Sequence, residues 1–164
     1  MGTHYKGTKT EISALNTFIK LIRASNSATT RVNAVLLKSK LTESQLNILD
    51  ALYHLGPLCQ KDLGKKLLKS GGNITLVIDN LEKQNLVKRE RGKDDRRLFN
   101  VSITKNGRDF FEKIFPEYLN SIISEVNVLS EAEQKELQRL CKKIGLGNQD
   151  IKKQIKYFDK NKIT

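Results

Sequence analysis

The stretch from residue 70 to residue 103 changes its hydrophobic period in the middle, and this change constrains the fold more than any other feature of the sequence. Four apolar residues first recur at the spacing of one helix face: Ile74, Val77, Ile78 and Leu81. Apolar and polar side chains then alternate over residues 86–90 and again over 99–103, on either side of a polar loop at 91–97. The stretch therefore predicts a helix followed directly by a β-hairpin with a basic tip.

Helix-capping signals place three helices before this hairpin. Thr42 and Gln45 can form a capping box, which predicts a helix from Glu43 that ends at the Gly56-Pro57 pair. Cys59 stands at the capping position of a short helix that we expect to continue to about Leu68. Ser70 offers a cap for the helix that contains Ile74.

Long amphipathic helices are predicted on both sides of this central part. Thr104 caps a helix through Val126 in which Pro116 should introduce a kink or a break. Ser130 and Glu133 open a last helix, which we expect to end at Gly145 with Cys141 in a core position. At the front, apolar residues between 12 and 22 predict a first helix that runs to about residue 37.

The predicted fold is mainly α-helical with a small β-hairpin wing. We expect an N-terminal dimerisation helix at 1–40, a winged helix-turn-helix domain at 41–104, C-terminal dimerisation helices at 105–146 and a loosely ordered basic tail at 147–164. The outer helices carry more apolar surface than the small central unit can cover, which favours a helical homodimer interface.

The charge is high and unevenly distributed. The net charge is +12, and residues 60–97 carry eleven Lys and Arg against six acidic residues, whereas residues 98–147 are balanced at seven each. Further excesses lie at 1–40 and at 148–164. Such blocks favour a polyanionic partner, although a lysine-rich genome would also raise the overall charge.

Several classes of protein are disfavoured by the sequence. No segment approaches the roughly 20 apolar residues of a membrane helix, and the polar start lacks the apolar region of a signal peptide. Cys59 and Cys141 do not form a paired metal spacing, and His4 and His54 are the only histidines. With no phosphate-loop or nucleophile-elbow motif either, we expect a cytoplasmic protein that is not an enzyme and uses no cofactor or metal and no membrane.

Residues 41–107 resemble the MarR family of bacterial transcription regulators. The segment 41–45 is similar to the start of the family's second helix, and 70–75, Leu81-Glu82 and 85–89 are similar to its recognition helix and exit, with Asn85 in place of the usual Gly. Asp95-Arg96-Arg97, followed by Ile103-Thr104 and Gly107, resembles the wing signature. The resemblance implies double-stranded DNA as partner.

The first turn of the helix after Ser70 is expected to read DNA bases, because helix-turn-helix proteins place that turn in the major groove. Asn73 can bond adenine bidentately, and Thr75 offers a hydroxyl and a methyl group for thymine. Gly71 and Gly72 disfavour a helix, so their presence indicates a close approach of the backbone to phosphate.

Basic residues are expected to hold the DNA backbone and the minor groove. The resemblance selects Arg97 for the minor groove, with Asp95 orienting it, although the adjacent Arg96 could serve instead and Lys93 lies in the same tip. The candidate phosphate contacts are Lys61, Lys65, Lys69, Arg89 and Arg91.

The resemblance also implies a mechanism. MarR-like proteins are typically dimeric repressors of pseudo-palindromic operators, released by a small aromatic effector or by thiol oxidation. Cys59 is the candidate redox sensor, because a helix N-terminus lowers the pKa of a thiol, although the family's sensors more often lie in the first helix. Two alternatives stay open: an architectural winged-helix protein that binds DNA without sequence preference, and a winged unit that binds only proteins.

Overall fold

The structure is a computed structural model that describes residues 2–67, 71–91 and 99–147. The chain divides into two compact units, Met1–Glu125 and Val126–Thr164. Within the described ranges the elements in chain order are α1 (Lys9–Asn33), a 3-10 helix (Ala34–Ser39), α2 (Glu43–Leu55), β1 (Leu58–Cys59), α3 (Gln60–Lys66), α4 (Gly71–Lys83), β2 (Val87–Arg91), β3 (Phe99–Ile103), α5 (Lys105–Val126) and α6 (Glu131–Leu146).

The predicted capping boxes are present where the sequence placed them. The Gln45 backbone N–H donates to Thr42 Oγ1 at 3.2 Å, and the Thr42 N–H donates to Gln45 Oε1 at 2.8 Å. Ser130 and Glu133 make the same reciprocal pair at the start of α6. These bonds satisfy backbone donors that a helix start leaves open, so each start is determined locally.

Three helix ends differ from the predictions. The helix expected to run to residue 37 ends at Asn33, because residues 34–39 tighten into a 3-10 helix that Lys40 terminates with a φ of 56°. The short third helix ends at Lys66, before the predicted Leu68, which lies outside the described residues. The last helix passes Gly145 and ends at Leu146, because Gly147 is the glycine that adopts a positive φ of 65°.

Helix α5 continues through Pro116 as one element, so of the predicted kink or break, the break is absent. Phe111 and Ile114 before the proline pack against the same core as Tyr118 after it. Because one apolar face is anchored on both sides, packing offsets the hydrogen bond that proline removes.

The predicted hairpin is confirmed but belongs to a three-stranded antiparallel sheet with the order β1-β3-β2. Arg89 pairs with Val101 between β2 and β3, and Leu58 of β1 pairs with Val101 from the other side. Strand β1 is not predicted by the sequence, because a two-residue strand is too short to show a period.

The core lies in the first unit, between α2, α3, α4, the sheet and the start of α5. Its fully buried side chains include Leu46, Leu49, Leu63, Ile78, Leu81, Val101 and Phe111. In the second unit α6 has no buried residue, and Cys141 is exposed, so the predicted core position of this thiol is wrong for the single chain.

Candidate nucleic-acid interface

Helix α4 has one buried face and one exposed face. Ile74, Ile78 and Leu81 are buried, whereas Gly72, Asn73 and Leu76 in the first two turns are exposed. The helix begins at Gly71, while the predicted cap Ser70 lies outside the described residues. The first two turns of α4 therefore expose polar and apolar groups of the kind that contact base edges when a helix lies in a DNA major groove.

Gly72 is not required by packing within the protein. A Cβ atom built on it would meet no heavy atom of the described residues within 4 Å. A residue with a side chain would therefore fit the fold and would favour the helix. The open space on this side is consistent with a surface that another molecule approaches closely.

The hydroxyl of Thr75, predicted to contact a base, is engaged within the protein. Gln60 of α3 donates from Nε2 to Thr75 Oγ1 at 2.7 Å. The buried Oε1 of Gln60 has no hydrogen-bond partner within the described residues. Gln60, which the sequence analysis did not single out, thus ties the first helix of the helix-turn-helix to the second.

Leu76 is a second residue to which the sequence analysis gave no role. Its side chain is 61% exposed on α4, one turn beyond Asn73. The signal was available in the sequence, since position 76 falls opposite the buried stripe of the helix.

The wing is described only at its base. Strands β2 and β3 pair from Val87–Ile103 to Arg91–Phe99. The predicted tip residues Lys93, Asp95, Arg96 and Arg97 lie outside the described residues. Their contacts with DNA remain predictions.

The segment before β2, the residue after β3 and the first turn of α5 meet at the base of the wing. Thr104 Oγ1 donates to the carbonyl oxygens of Asn85 at 2.7 Å and Leu86 at 3.2 Å, and it accepts from the Gly107 N–H at 2.9 Å. A Cβ on Gly107 would lie 1.9 Å from the Leu86 carbonyl oxygen. Asn85 adopts a φ of 55°, a left-handed conformation that Asn tolerates better than most residues other than Gly. These constraints explain why the segment carries these residue types.

The predicted phosphate contacts differ in their surroundings. Lys61 and Arg91 are exposed, and Lys69 lies outside the described residues. Lys65 Nζ lies 3.2 Å from Asp62 Oδ1, in an exposed ion pair that water and salt readily compete with. Each of these assignments remains a prediction.

Arg89 is different, because its guanidinium is bound by two carboxylates of α4. Nη2 donates to Asp79 and, at 2.9 Å, to Glu82 Oε2. Burial alone would lower the pKa of Arg89, but the hydrogen bonds with Glu82 and Asp79 outweigh it and raise this pKa above its ordinary value. The positive charge of Arg89 is therefore balanced within the protein.

Cys59, the candidate redox sensor, is a free thiol at the N-cap position of α3. It is partly buried, and its side chain makes no capping hydrogen bond. The helix start that the thiol was expected to cap is instead held by the pairing of β1 with β3.

The described residues, 2–67, 71–91 and 99–147, contain no cluster of three or more His, Cys, Asp and Glu side chains that could hold a metal ion. No helix within these ranges has the length and hydropathy that a membrane span requires.

Comparison with known proteins identifies the family. A sequence model of the MarR family matches residues 41–99. The HTH-type transcriptional regulator MhqR of Bacillus subtilis (strain 168) is 34% identical over 133 residues, which are 81% of this chain and 92% of that protein.

Solved structures share the fold. AbsC, a MarR family regulator from Streptomyces coelicolor, matches with a TM-score of 0.75 and 23% identity over 84% of this chain and 93% of AbsC. Bordetella bronchiseptica BpsR, whose DNA binding is regulated by 6-hydroxynicotinic acid, matches with a TM-score of 0.73 and 23% identity over 90% of this chain and all of BpsR. Helix α4 and the paired wing strands form the winged helix-turn-helix that the family match and the similarity to MhqR imply. The chain therefore belongs to the MarR family of DNA-binding transcription regulators, whose members are not enzymes.

Proposed function

We propose that this regulator is a repressor that binds a pseudo-palindromic operator as a homodimer and leaves it when an effector binds. The observation that carries the proposal is the exposed apolar surface of the long helices. Phe18 of α1 is 62% exposed and Ile123 of α5 is 43% exposed. In the second unit Ile144 of α6 is 54% exposed. Large apolar side chains left exposed on each of these helices favour burial against a second copy.

In this proposal two copies of α4 occupy successive major grooves, about one helical turn apart. The backbone at Ser70, Gly71 and Gly72 approaches phosphate, and Asn73 contacts a base edge. Thr75, whose hydroxyl oxygen accepts from Gln60, contacts a base edge through its methyl group. Arg97, oriented by Asp95, enters the minor groove. Bound at a promoter, such a dimer would block polymerase.

Footprinting beside the regulator's own gene, together with sedimentation of the free protein, tests the repressor. We expect a dimer that protects two half-sites. Phe18→Glu should dissociate the dimer and abolish the footprint, whereas Leu55→Glu, at a residue 53% exposed at the end of α2, should leave both intact. A monomer without a protected palindrome would contradict the proposal.

The wing is tested by the same footprint. Arg97→Ala should weaken operator binding at physiological salt without changing thermal stability, and Arg96→Ala is the matched control. If only Arg96→Ala weakened binding, the role would pass to the neighbouring residue.

A cavity supports the effector part of the proposal. It measures about 400 Å³ and lies between the 3-10 helix and α5. Its lining combines apolar side chains with three lysines, a serine and one carboxylate, Glu117, which pairs with Lys38 at 3.1 Å: Val35, Leu36, Lys38, Ser39, Lys40, Phe110, Lys113, Ile114 and Glu117. Ligand pockets of this size typically pair apolar walls with a few charged groups, which here favour a small aromatic carboxylate.

Calorimetry and DNA release with benzoate, 6-hydroxynicotinate and neutral benzamide test the effector class. We expect the two acids to bind and to release DNA, benzamide to bind at least tenfold more weakly, and Lys113→Met to abolish this difference by removing a lining charge. Equal binding of benzoate and benzamide would contradict the carboxylate, and absence of binding by all three would remove the cavity from the mechanism.

Thiol oxidation is the alternative release signal. Peroxide should weaken DNA binding of the protein and of Cys141→Ser but not of Cys59→Ser. If Cys59→Ser responded like the unaltered protein, Cys59 would not be the sensor.

An architectural role is the second candidate function, supported by the net charge of +12. It predicts that random duplex DNA competes as well as the protected sequence. At least a hundredfold preference for the protected sequence would exclude it.

A further inference from the structure

The root of the wing is joined to α4 by a cluster of three charged side chains, Arg89 of β2 with Asp79 and Glu82 of α4. Arg89 Nε donates to Glu82 Oε2 at 3.0 Å, and Nη2 donates to the same oxygen at 2.9 Å and to Asp79. The backbone N–H of Arg89 donates to Glu82 Oε1 at 2.9 Å. Glu82 thus bonds both the side chain and the main chain of one wing residue.

The direction of the strand explains this geometry. Side chains alternate between the two faces of a strand, so Val87 and Arg89 face the same side. Val87 is buried in the core, and the next side chain on that face is placed against α4. Asp79 and Glu82 are three residues apart and lie on one flank of the helix, where a single guanidinium can reach both.

The electrostatics disfavour a phosphate role for Arg89. Its side chain is 22% exposed, and each of its two carboxylate partners is 37% exposed. One positive charge faces two negative charges, so a phosphate at this place would meet a net negative cluster. Releasing Arg89 to DNA would also leave a half-buried carboxylate without its partner.

We propose that Arg89 is a positioning residue whose cluster with Asp79 and Glu82 locks the wing to the recognition helix, so that both meet DNA as one rigid body. This replaces the phosphate contact predicted for Arg89 from its charge alone. The inference rests on the proposed function, in which α4 and the wing bind the operator together.

The two roles predict opposite effects for two conservative variants. Glu82→Gln removes a negative charge near DNA, so a phosphate-binding Arg89 would be released and binding would strengthen. If the cluster of Arg89, Asp79 and Glu82 instead acts as a clamp between the wing and α4, this variant removes the charged acceptor of the clamp. Binding would then weaken about tenfold. Arg89→Lys keeps the charge that a phosphate requires, but Lys cannot reproduce the planar fork that bonds two carboxylates, so the clamp again predicts about tenfold weaker binding.

The salt dependence of operator binding supplies a readout that a structural role does not change. Loss of one phosphate contact reduces the slope of log K against log salt by about 0.9. We expect Arg89→Lys and Glu82→Gln to keep the slope of the unaltered protein. Arg91→Ala, at the exposed residue two positions further along the same strand, is the matched control and should reduce the slope.

The experiment measures the affinity of the full-length dimer for a duplex that was found by footprinting or by selection, over a range of salt concentrations. Hydrogen exchange of the backbone amide at residue 89 reports directly on the clamp. Weaker binding, an unchanged slope and faster exchange in both variants support the inference. Stronger or unchanged binding by Glu82→Gln, a steeper slope in that variant from a released Arg89, or unchanged binding by Arg89→Lys would overturn it. If the unaltered protein bound no duplex specifically, the proposed function itself would fail, and the exchange rates alone would still decide whether the clamp exists.

Discussion

Gly107→Ala gives the sharpest test of how the wing is attached to the rest of the protein. In the first turn of α5 the added Cβ would lie 1.9 Å from the Leu86 carbonyl oxygen and 3.0 Å from Ile103 Cγ1, whereas real Cβ atoms essentially never come within 3.0 Å of a neighbour. The helix or the strand must therefore move by about 1 Å.

The cost follows from this displacement. Overpacking of this kind costs about 1–3 kcal/mol, and weakening the bonds from Thr104 to Leu86 and Asn85 adds about 1 kcal/mol each. The better helix propensity of Ala returns up to about 1 kcal/mol. The net loss in free energy of unfolding is about 3 kcal/mol, which lowers Tm by about 6–12 °C in a chain of this size.

Thermal and urea unfolding followed by circular dichroism measures this loss. Gly145→Ala is the matched control, because it is also a helical glycine but a Cβ there would meet no atom of the described part of the chain within 4 Å. We expect Gly145→Ala to be neutral or to stabilise by up to about 1 kcal/mol. If Gly107→Ala unfolded at the same temperature as Gly145→Ala, the close approach inferred for Leu86 would be refuted.

Gly72→Ala should keep or raise thermal stability, since its Cβ has open space, yet weaken operator binding in a gel-shift titration; unchanged binding would contradict a close backbone approach to phosphate. Asn73→Ala should cost about 1–3 kcal/mol and relax preference at one base position, and an equal loss on every sequence would indicate a phosphate contact instead. The exposed Leu76 is expected to pack against the methyl group of an operator thymine. Leu76→Ala should therefore weaken binding about fourfold and remove the loss of affinity seen when that thymine is replaced by uracil, which lacks the methyl group. Hydrogen bonds from the Ser130 hydroxyl and backbone lower the pKa of Glu133, so the stability from this cap is present above the ordinary carboxyl pKa and is lost as pH falls through the lowered one. Acid melts should therefore show a smaller loss in Glu133→Gln than in the unaltered protein.

Much of the fold follows from the sequence, because its signals are local. The capping pair of Thr42 and Gln45 satisfies backbone donors within one turn, and the alternation over 99–103 requires only neighbouring residues. The same holds for the two faces of α4. The helix end predicted at Gly145 lies one residue too early, because Gly147 is the residue that adopts the positive φ at the end of α6.

For the candidate site, sequence patterns identified the helix and the hairpin but not which of their polar groups are already engaged. Thr75 and Arg89 were both selected as DNA contacts from their chemistry alone. The structure shows that Gln60 donates to the first and that Asp79 and Glu82 bind the second. No periodicity can foresee such pairs, because they join residues on different elements.

Local hydrogen bonds and apolar spacing thus determined, from the sequence by itself, where the helices begin and which face of α4 is exposed. Only the tertiary structure decided that a two-residue strand joins the hairpin, that Gly107 must approach Leu86, and that the Arg89 guanidinium bonds Asp79 and Glu82. The physical reason is distance along the chain. A charge or a hydroxyl has the same chemistry wherever it stands, but its partners are set by segments that only the folded chain brings together.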